Sequence, residues 1–137
     1  MNATKTLKTQ VVIVGGGPAG LTLSHVLDQH GVDNIVLERR TKDYVLGRIR
    51  AGVLEYGSVE FLREIGMGER MDRDGMLKNG SAIVWEDKPG FFIDTKKHVG
   101  KPMMAYGQTN LTEDLYAAAN ATAARSSAKP RTWRCTT

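Results

Sequence analysis

The chain has 137 residues, a net charge of +4, 41% hydrophobic residues and one cysteine. That length allows a moderate core, and the single Cys135 excludes a disulfide framework or a cysteine-based metal site. The four cations Arg125, Lys129, Arg131 and Arg134 supply the whole positive excess and lie together in a stretch without acids, so the charge gives no folded basic face for nucleic acid.

In chain order, residues 1–7 read as a polar, disordered extension. Residues 8–14 read as a first strand whose apolar second half, Val11 to Val14, suits a strand buried on both faces. The run is too short for a secretory signal or a membrane span, so a cytoplasmic protein without a membrane partner is expected. Pro18 sits where a helix tolerates it, and Leu21, Leu23, Val26 and Leu27 carry a helical rhythm that Gly31 stops. Residues 34–38 form a second strand, which predicts a β-α-β unit with parallel strands and a right-handed crossover. Arg39 to Tyr44 reads as a polar loop. From Val53 a helix is expected through Val59, Leu62 and Ile65, ending at Gly66.

Residues 81–85 and 91–95 read as an antiparallel hairpin turning at Lys88-Pro89-Gly90. Residues 103–106 suit a further strand. Asn110 reads as an N-cap, with Glu113 three residues on. From Ala117 the sequence turns to alanine and small polar residues, and residues 125–137 show no core-forming run. His25, His30 and His98 have no ligand spacing, and no metal is expected.

The glycines at 15, 17 and 20 follow the first strand and open the helix in the spacing G-x-G-x-x-G. Gly15 permits a tight turn, Gly17 lets backbone approach a pyrophosphate, and Gly20 lets helix and strand pack closely. The free N–H groups at the helix start suit phosphate oxygens. Glu38 closes the second strand at about the distance (roughly 20 residues) where an acid bonds a ribose hydroxyl. A dinucleotide site follows; the alternative is a structural turn with a chance acid.

The fingerprint, Val36-Leu37-Glu38-Arg39 and above all Tyr44-Val45-Leu46-Gly47-Arg48-Ile49-Arg50-Ala51-Gly52-Val53-Leu54-Glu55 resemble the 4-hydroxybenzoate 3-monooxygenase family of single-component FAD-dependent aromatic hydroxylases. Met71-Asp72-Arg73-Asp74-Gly75 and Tyr106-Gly107-Gln108-Thr109 fit the same pattern. The resemblance runs from Lys8 to about Tyr116. It implies an α/β, Rossmann-like FAD-binding domain, a β-α-β unit with a parallel sheet plus a short antiparallel β segment, incomplete relative to the family. It further implies hydroxylation of 4-hydroxybenzoate to 3,4-dihydroxybenzoate with NADPH and O2. The homodimer of the family would belong to the full-length chain alone.

By that resemblance Gly15, Gly17, Ala19 and Gly20 would line the FAD pyrophosphate and Glu38 would hold its ribose. Arg48, Arg50, Ala51, Gly52 and Val53 would meet the flavin side and its phosphates, and Gln108 would also bond FAD. Guanidinium groups suit phosphate oxygens; the alternative for Arg48 and Arg50 is solvated loop charge. Arg39, Arg40 and Tyr44 match the stretch that recognises the nicotinamide cofactor, and two arginines beside the acid favour a 2′-phosphate, hence NADPH over NADH. The family's catalytic residues, which activate the substrate, would lie beyond this chain, as would the substrate domain.

One choice of codons for residues 125–137, read one base earlier, gives KIVSEAEDVALHD, an alternation resembling the family after its Gln108 helix. The tail at 117–137 therefore reads as a change of frame near residues 117–120. Such a chain would leave strand edges unpaired and apolar faces open, hold FAD weakly and not hydroxylate alone. Two rival readings stand beside this one: a flavin hydroxylase of another phenol, and a non-catalytic dinucleotide-binding module.

Overall fold

A computed structural model describes Thr6, residues 8–48 and 51–125, and the backbone of 132–134. The rest of the extension at 1–7, Arg50 and Cys135, all singled out from the sequence, lie outside the described residues. In chain order the elements are β1 (Val11–Val14), α1 (Pro18–Gln29), β2 (Asn34–Glu38), α2 (Lys42–Leu46), β3 (Val53–Leu54), α3 (Tyr56–Glu64) and α4 (Glu69–Asp74). They continue with β4 (Met76–Lys78), β5 (Gly80–Trp85), β6 (Lys88–Asp94), α5 (Thr95–Val99), β7 (Met103–Ala105), α6 (Gln108–Arg125) and β8 (Thr132–Arg134). No described helix is long and apolar enough to cross a membrane.

The chain divides into two compact units, residues 1–48 with 112–137 and residues 49–111. The first is α/β. Its sheet has the order β1-β2-β8, and both pairings are parallel. The expected β-α-β unit is present, with Val11 opposite Asn34 and Val14 opposite Leu37. Helix α1 ends where Gly31 adopts a φ of +69°, a left-handed conformation that glycine enters without Cβ strain. Its inner face buries Leu21 and Ser24, while Ile13, Val36, Leu115 and Tyr116 complete the core.

A buried polar lock joins α1 to the start of β2. Ser24 Oγ donates to Asn34 Oδ1 at 2.6 Å, and Asn34 Nδ2 donates to Asp28 Oδ1 at 2.7 Å. Pairing these groups removes the penalty of burying them unsatisfied.

The first unit also corrects the sequence. β1 begins at Val11, not Lys8. It is buried on one face only, since Ile13 is covered while Val12 and Val14 are 56% and 86% exposed. Alternate residues of a strand face opposite ways, and here α1 covers one side. The polar loop after Glu38 contains α2, whose start is fixed by Thr41: its hydroxyl accepts from the Tyr44 N–H at 3.2 Å. Residues 117–125 continue α6, and residues 132–134 pair with β2 as β8. Three of the residues read as lacking any core-forming run therefore lie in the sheet.

The second unit combines an antiparallel sheet of order β3-β7-β4 with a separate β5-β6 hairpin. Val59, Leu62 and Ile65, three residues apart on or just after α3, are buried along with Met71, Met104, Tyr106 and Leu111. Gly66 ends this segment with a φ of +75°. The helix begins at Tyr56, not Val53, because Val53 and Leu54 pair with Ala105 and Met104, about fifty residues away. The hairpin turns at Glu86-Asp87, and Lys88-Pro89-Gly90 opens its second strand. Its Trp85 and Phe91 rings stack at 5.9 Å and both are half exposed. α6 starts at Gln108 with Leu111 N–H bonded to Gly107 O, so Asn110 lies inside the first turn and does not cap it.

Candidate dinucleotide site

The parallel register of β1 and β2 brings the glycine run beside Glu38. The ladder continues one residue past Val14, with Gly15 N–H donating to Leu37 O at 2.8 Å. Gly15 then takes a φ of +117°, open to glycine and strained for other residues. The chain turns there and enters α1 at the carboxyl ends of the strands, where open α/β sheets place ligands.

Each glycine has a separate reason. A Cβ on Gly20 would overlap the Gly15 carbonyl, so the third glycine sets how closely helix meets turn. A Cβ on Gly17 would meet nothing within 4 Å, which leaves open space at the helix N-cap. No side chain caps α1 and no acid stands in its first turn. The first intrahelical bond is Leu21 N–H to Gly17 O, at 3.0 Å. The amides of Gly17, Ala19 and Gly20 precede it and have no carbonyl one turn back. This end of the helix is chemically matched to an anion. Ala19 is exposed beside it.

Glu38 is half buried and grips the loop. Its Oε2 accepts from Gly16 N–H at 2.8 Å and its Oε1 from Arg40 N–H at 2.7 Å. Burial pushes the carboxyl pKa up, but the amides of Arg40, Gly16 and Arg39 and the Arg39 charge outweigh it, so the pKa lies below its ordinary value. A carboxylate has about four acceptor positions. The positions that these amides leave open can receive ribose hydroxyls.

Arg39, Arg40 and Arg48 are exposed. Arg40 and Arg48 lie over the Tyr44 ring, 4.9 Å and 5.5 Å from its centroid. The ring holds two guanidinium groups together near Glu38 in sequence, a cluster suited to a phosphate. In the second unit, Gln108 N–H donates to Ala51 O at 3.1 Å and Tyr106 N–H to Gly52 O at 2.9 Å. The Ala51-Gly52 backbone is thereby fixed to the start of α6, and Val53 continues into β3.

Sequence reasoning missed two residues. Gly16 is an unspecified position of the motif, yet its Cβ would come 2.9 Å from Glu38 Cβ and 3.2 Å from the Tyr116 hydroxyl oxygen. The run of three glycines was its only signal. Tyr116, a hundred residues away, donates to Gly16 O at 3.1 Å, and nothing local in the sequence announces it.

The residues present fit an adenine dinucleotide: an uncapped helix start with open space before it, and a carboxylate one strand away whose remaining acceptor positions suit ribose hydroxyls. The profile of a family described as "FAD binding domain" matches residues 8–132. The chain is 39% identical to the p-hydroxybenzoate hydroxylase of Acinetobacter baylyi over 112 residues, covering 81% of this chain and 28% of that protein. It is 31% identical to the FAD-dependent monooxygenase cdmI of Talaromyces verruculosus over 116 residues, covering 80% and 24%. The p-nitrophenol 4-monooxygenase PnpA from Pseudomonas putida superposes with a TM-score of 0.72 at 20% identity, over 87% of this chain and 31% of that one, a likeness of fold. The chain spans about a quarter of the length of these two curated relatives, 28% and 24%.

Proposed function

This chain belongs to the FAD binding domain family of FAD-dependent aromatic monooxygenases, and from that premise we propose that it is the N-terminal FAD-binding part of a hydroxylase converting 4-hydroxybenzoate to 3,4-dihydroxybenzoate in the cytoplasm. The observation that carries the reading is the 39% identity to a p-hydroxybenzoate hydroxylase over 81% of the chain. When bound, FAD supplies the redox chemistry that joins reduced nicotinamide, O2 and the aromatic ring.

The residues of this chain bind and orient. The start of α1 receives the pyrophosphate, Gly17 leaves it room, and Glu38 accepts the ribose hydroxyls. Arg39, Arg40 and Tyr44 would recognise the 2′-phosphate of NADPH, with Arg40 held over the Tyr44 ring, and Arg48 would meet the flavin side of FAD. The amides of Arg40, Gly16 and Arg39, with the Arg39 charge, outweigh burial and hold the Glu38 pKa below its ordinary value, which favours the ionised acceptor.

The test is made on the whole protein encoded at the locus, after resequencing across codons 110–140 establishes the frame. NADPH oxidation should depend on 4-hydroxybenzoate and yield 3,4-dihydroxybenzoate, with NADH much slower. Equal turnover of unrelated phenols, or an NADH preference, would overturn the corresponding part. The match to a monooxygenase from a different organism and of undefined substrate supports a second reading, hydroxylation of another phenol. Product analysis over a panel of phenols separates the two.

A further inference from the structure

We propose that Tyr116 is a positioning residue for the dinucleotide, its hydroxyl orienting the peptide between Gly16 and Gly17 so that the Gly17 N–H faces the pyrophosphate. The inference rests on the reading of the first unit as an adenine-dinucleotide site.

Tyr116 lies on α6, is 5% exposed, and donates its hydroxyl to Gly16 O at 3.1 Å. The peptide that carries this carbonyl also carries the Gly17 N–H. The chain has no cis peptide among its described residues, and in a trans peptide the C=O and N–H of one plane point opposite ways. Drawing the Gly16 oxygen towards α6 therefore turns the Gly17 N–H away from α6, on the residue beside which the space is open.

The other side of Gly16 is held as well, because its own N–H donates to Glu38 Oε2 at 2.8 Å. That amide is thus committed to the ribose-binding acid and not to a phosphate. Tyr116 and Glu38 grip the two ends of one glycine, and a Cβ there would press on both. Lys42 Nζ lies 5.4 Å from the centroid of the Tyr116 ring and steadies it from α2. Burial and the Glu38 charge push the phenol pKa up, so at neutral pH the hydroxyl keeps the proton it donates.

The experiment compares the 137-residue chain with Tyr116→Phe by NMR titration with ADP, adenosine and FAD. The variant should lose about five- to tenfold in affinity for ADP and FAD, keep its adenosine affinity within about twofold, and change the ADP-induced shift of the Gly17 amide; the loss of one hydrogen bond corresponds to a change of this size. A variant matching the parent on ADP overturns the role of Tyr116 while the dinucleotide reading stands. Equal losses for adenosine and ADP mark a purely structural residue and also overturn it. A parent chain that binds neither ADP nor FAD sinks both. Should Tyr116→Phe not fold, the parent chain still decides: ADP must move the Tyr116 ring and Gly17 amide resonances with one dissociation constant. A Tyr116 ring that stays unmoved by saturating ADP overturns the proposal.

Discussion

Gly15, Gly16, Gly17 and Gly20 shape the first unit's site by what they leave out, whereas Val59, Leu62, Ile65, Met71 and Met104 hold the second unit together by what they fill. In the first, backbone groups and a few polar side chains define the geometry: the Gly15 turn, the Glu38 carboxylate, the Tyr116 hydroxyl and the Ser24–Asn34 lock. In the second, bulk does so, and the β5-β6 hairpin leaves Trp85, Phe91 and Phe92 half exposed. A site made of backbone fails when atoms are added, and a core fails when atoms are removed. Substitutions of opposite kinds therefore probe the two units.

Met71→Ala should have the largest effect on stability. Met71 is fully buried, and truncating such a side chain costs about 2–5 kcal/mol. Denaturant unfolding should register the loss, while the ADP affinity per folded molecule stays unchanged. A parallel fall in affinity would break the distinction between the units.

Gly20→Ala should follow, destabilising by about 1–3 kcal/mol as overpacking does, because its Cβ overlaps the Gly15 carbonyl. Here binding should fail with stability. Calorimetry with ADP checks this, and a variant that folds and binds normally would show that helix and turn can separate without harm.

Glu38→Gln should lower ADP affinity about tenfold, since hydrogen bonds to a charged group are worth about 1.5–3 kcal/mol and one amide oxygen cannot replace two carboxylate oxygens. The pH dependence has a defined sign. The folded pKa of Glu38 lies below the ordinary 4.5, so the unfolded chain takes up the proton first. The stability that Glu38 contributes is complete above about 4.5 and is lost as pH falls through the folded value. Unfolding midpoints measured from neutral to acid pH should decline less steeply in Glu38→Gln. An unchanged acid limb would remove Glu38 from the lock.

Gly57→Ala should have the smallest effect and the opposite sign. Gly57 lies within α3, is exposed, and its Cβ would meet nothing within 4 Å. Alanine should stabilise the helix by about 0.5–1 kcal/mol. A thermal melt suffices, and destabilisation would show a contact on that face.

Local patterns made much of the first unit legible. The apolar run into glycines, Gly31 as a stop and Glu38 closing β2 each act within a few residues, and strand, helix and strand stand where those patterns put them. The errors share a cause. Val53-Leu54 is a strand because Met104-Ala105 pairs with it, and no local signal reports that pairing. Residues 132–134 enter the sheet beside β2, a partner almost a hundred residues earlier. Asn110 has the chemistry of a cap, but Gln108 is already anchored to Ala51 O and the helix starts sooner.

The sequence by itself determined the β-α-β unit, the turn before α1 and the acid at the end of β2, because hydrophobic period and glycine chemistry act over short distances. Only the tertiary structure decided that Glu38 reaches the Gly16 amide, that Gly16 has no room for a side chain, and that Tyr116 holds its carbonyl. Those contacts join residues 22 and 100 positions apart, and such distances close only when strands pair and a helix packs against them.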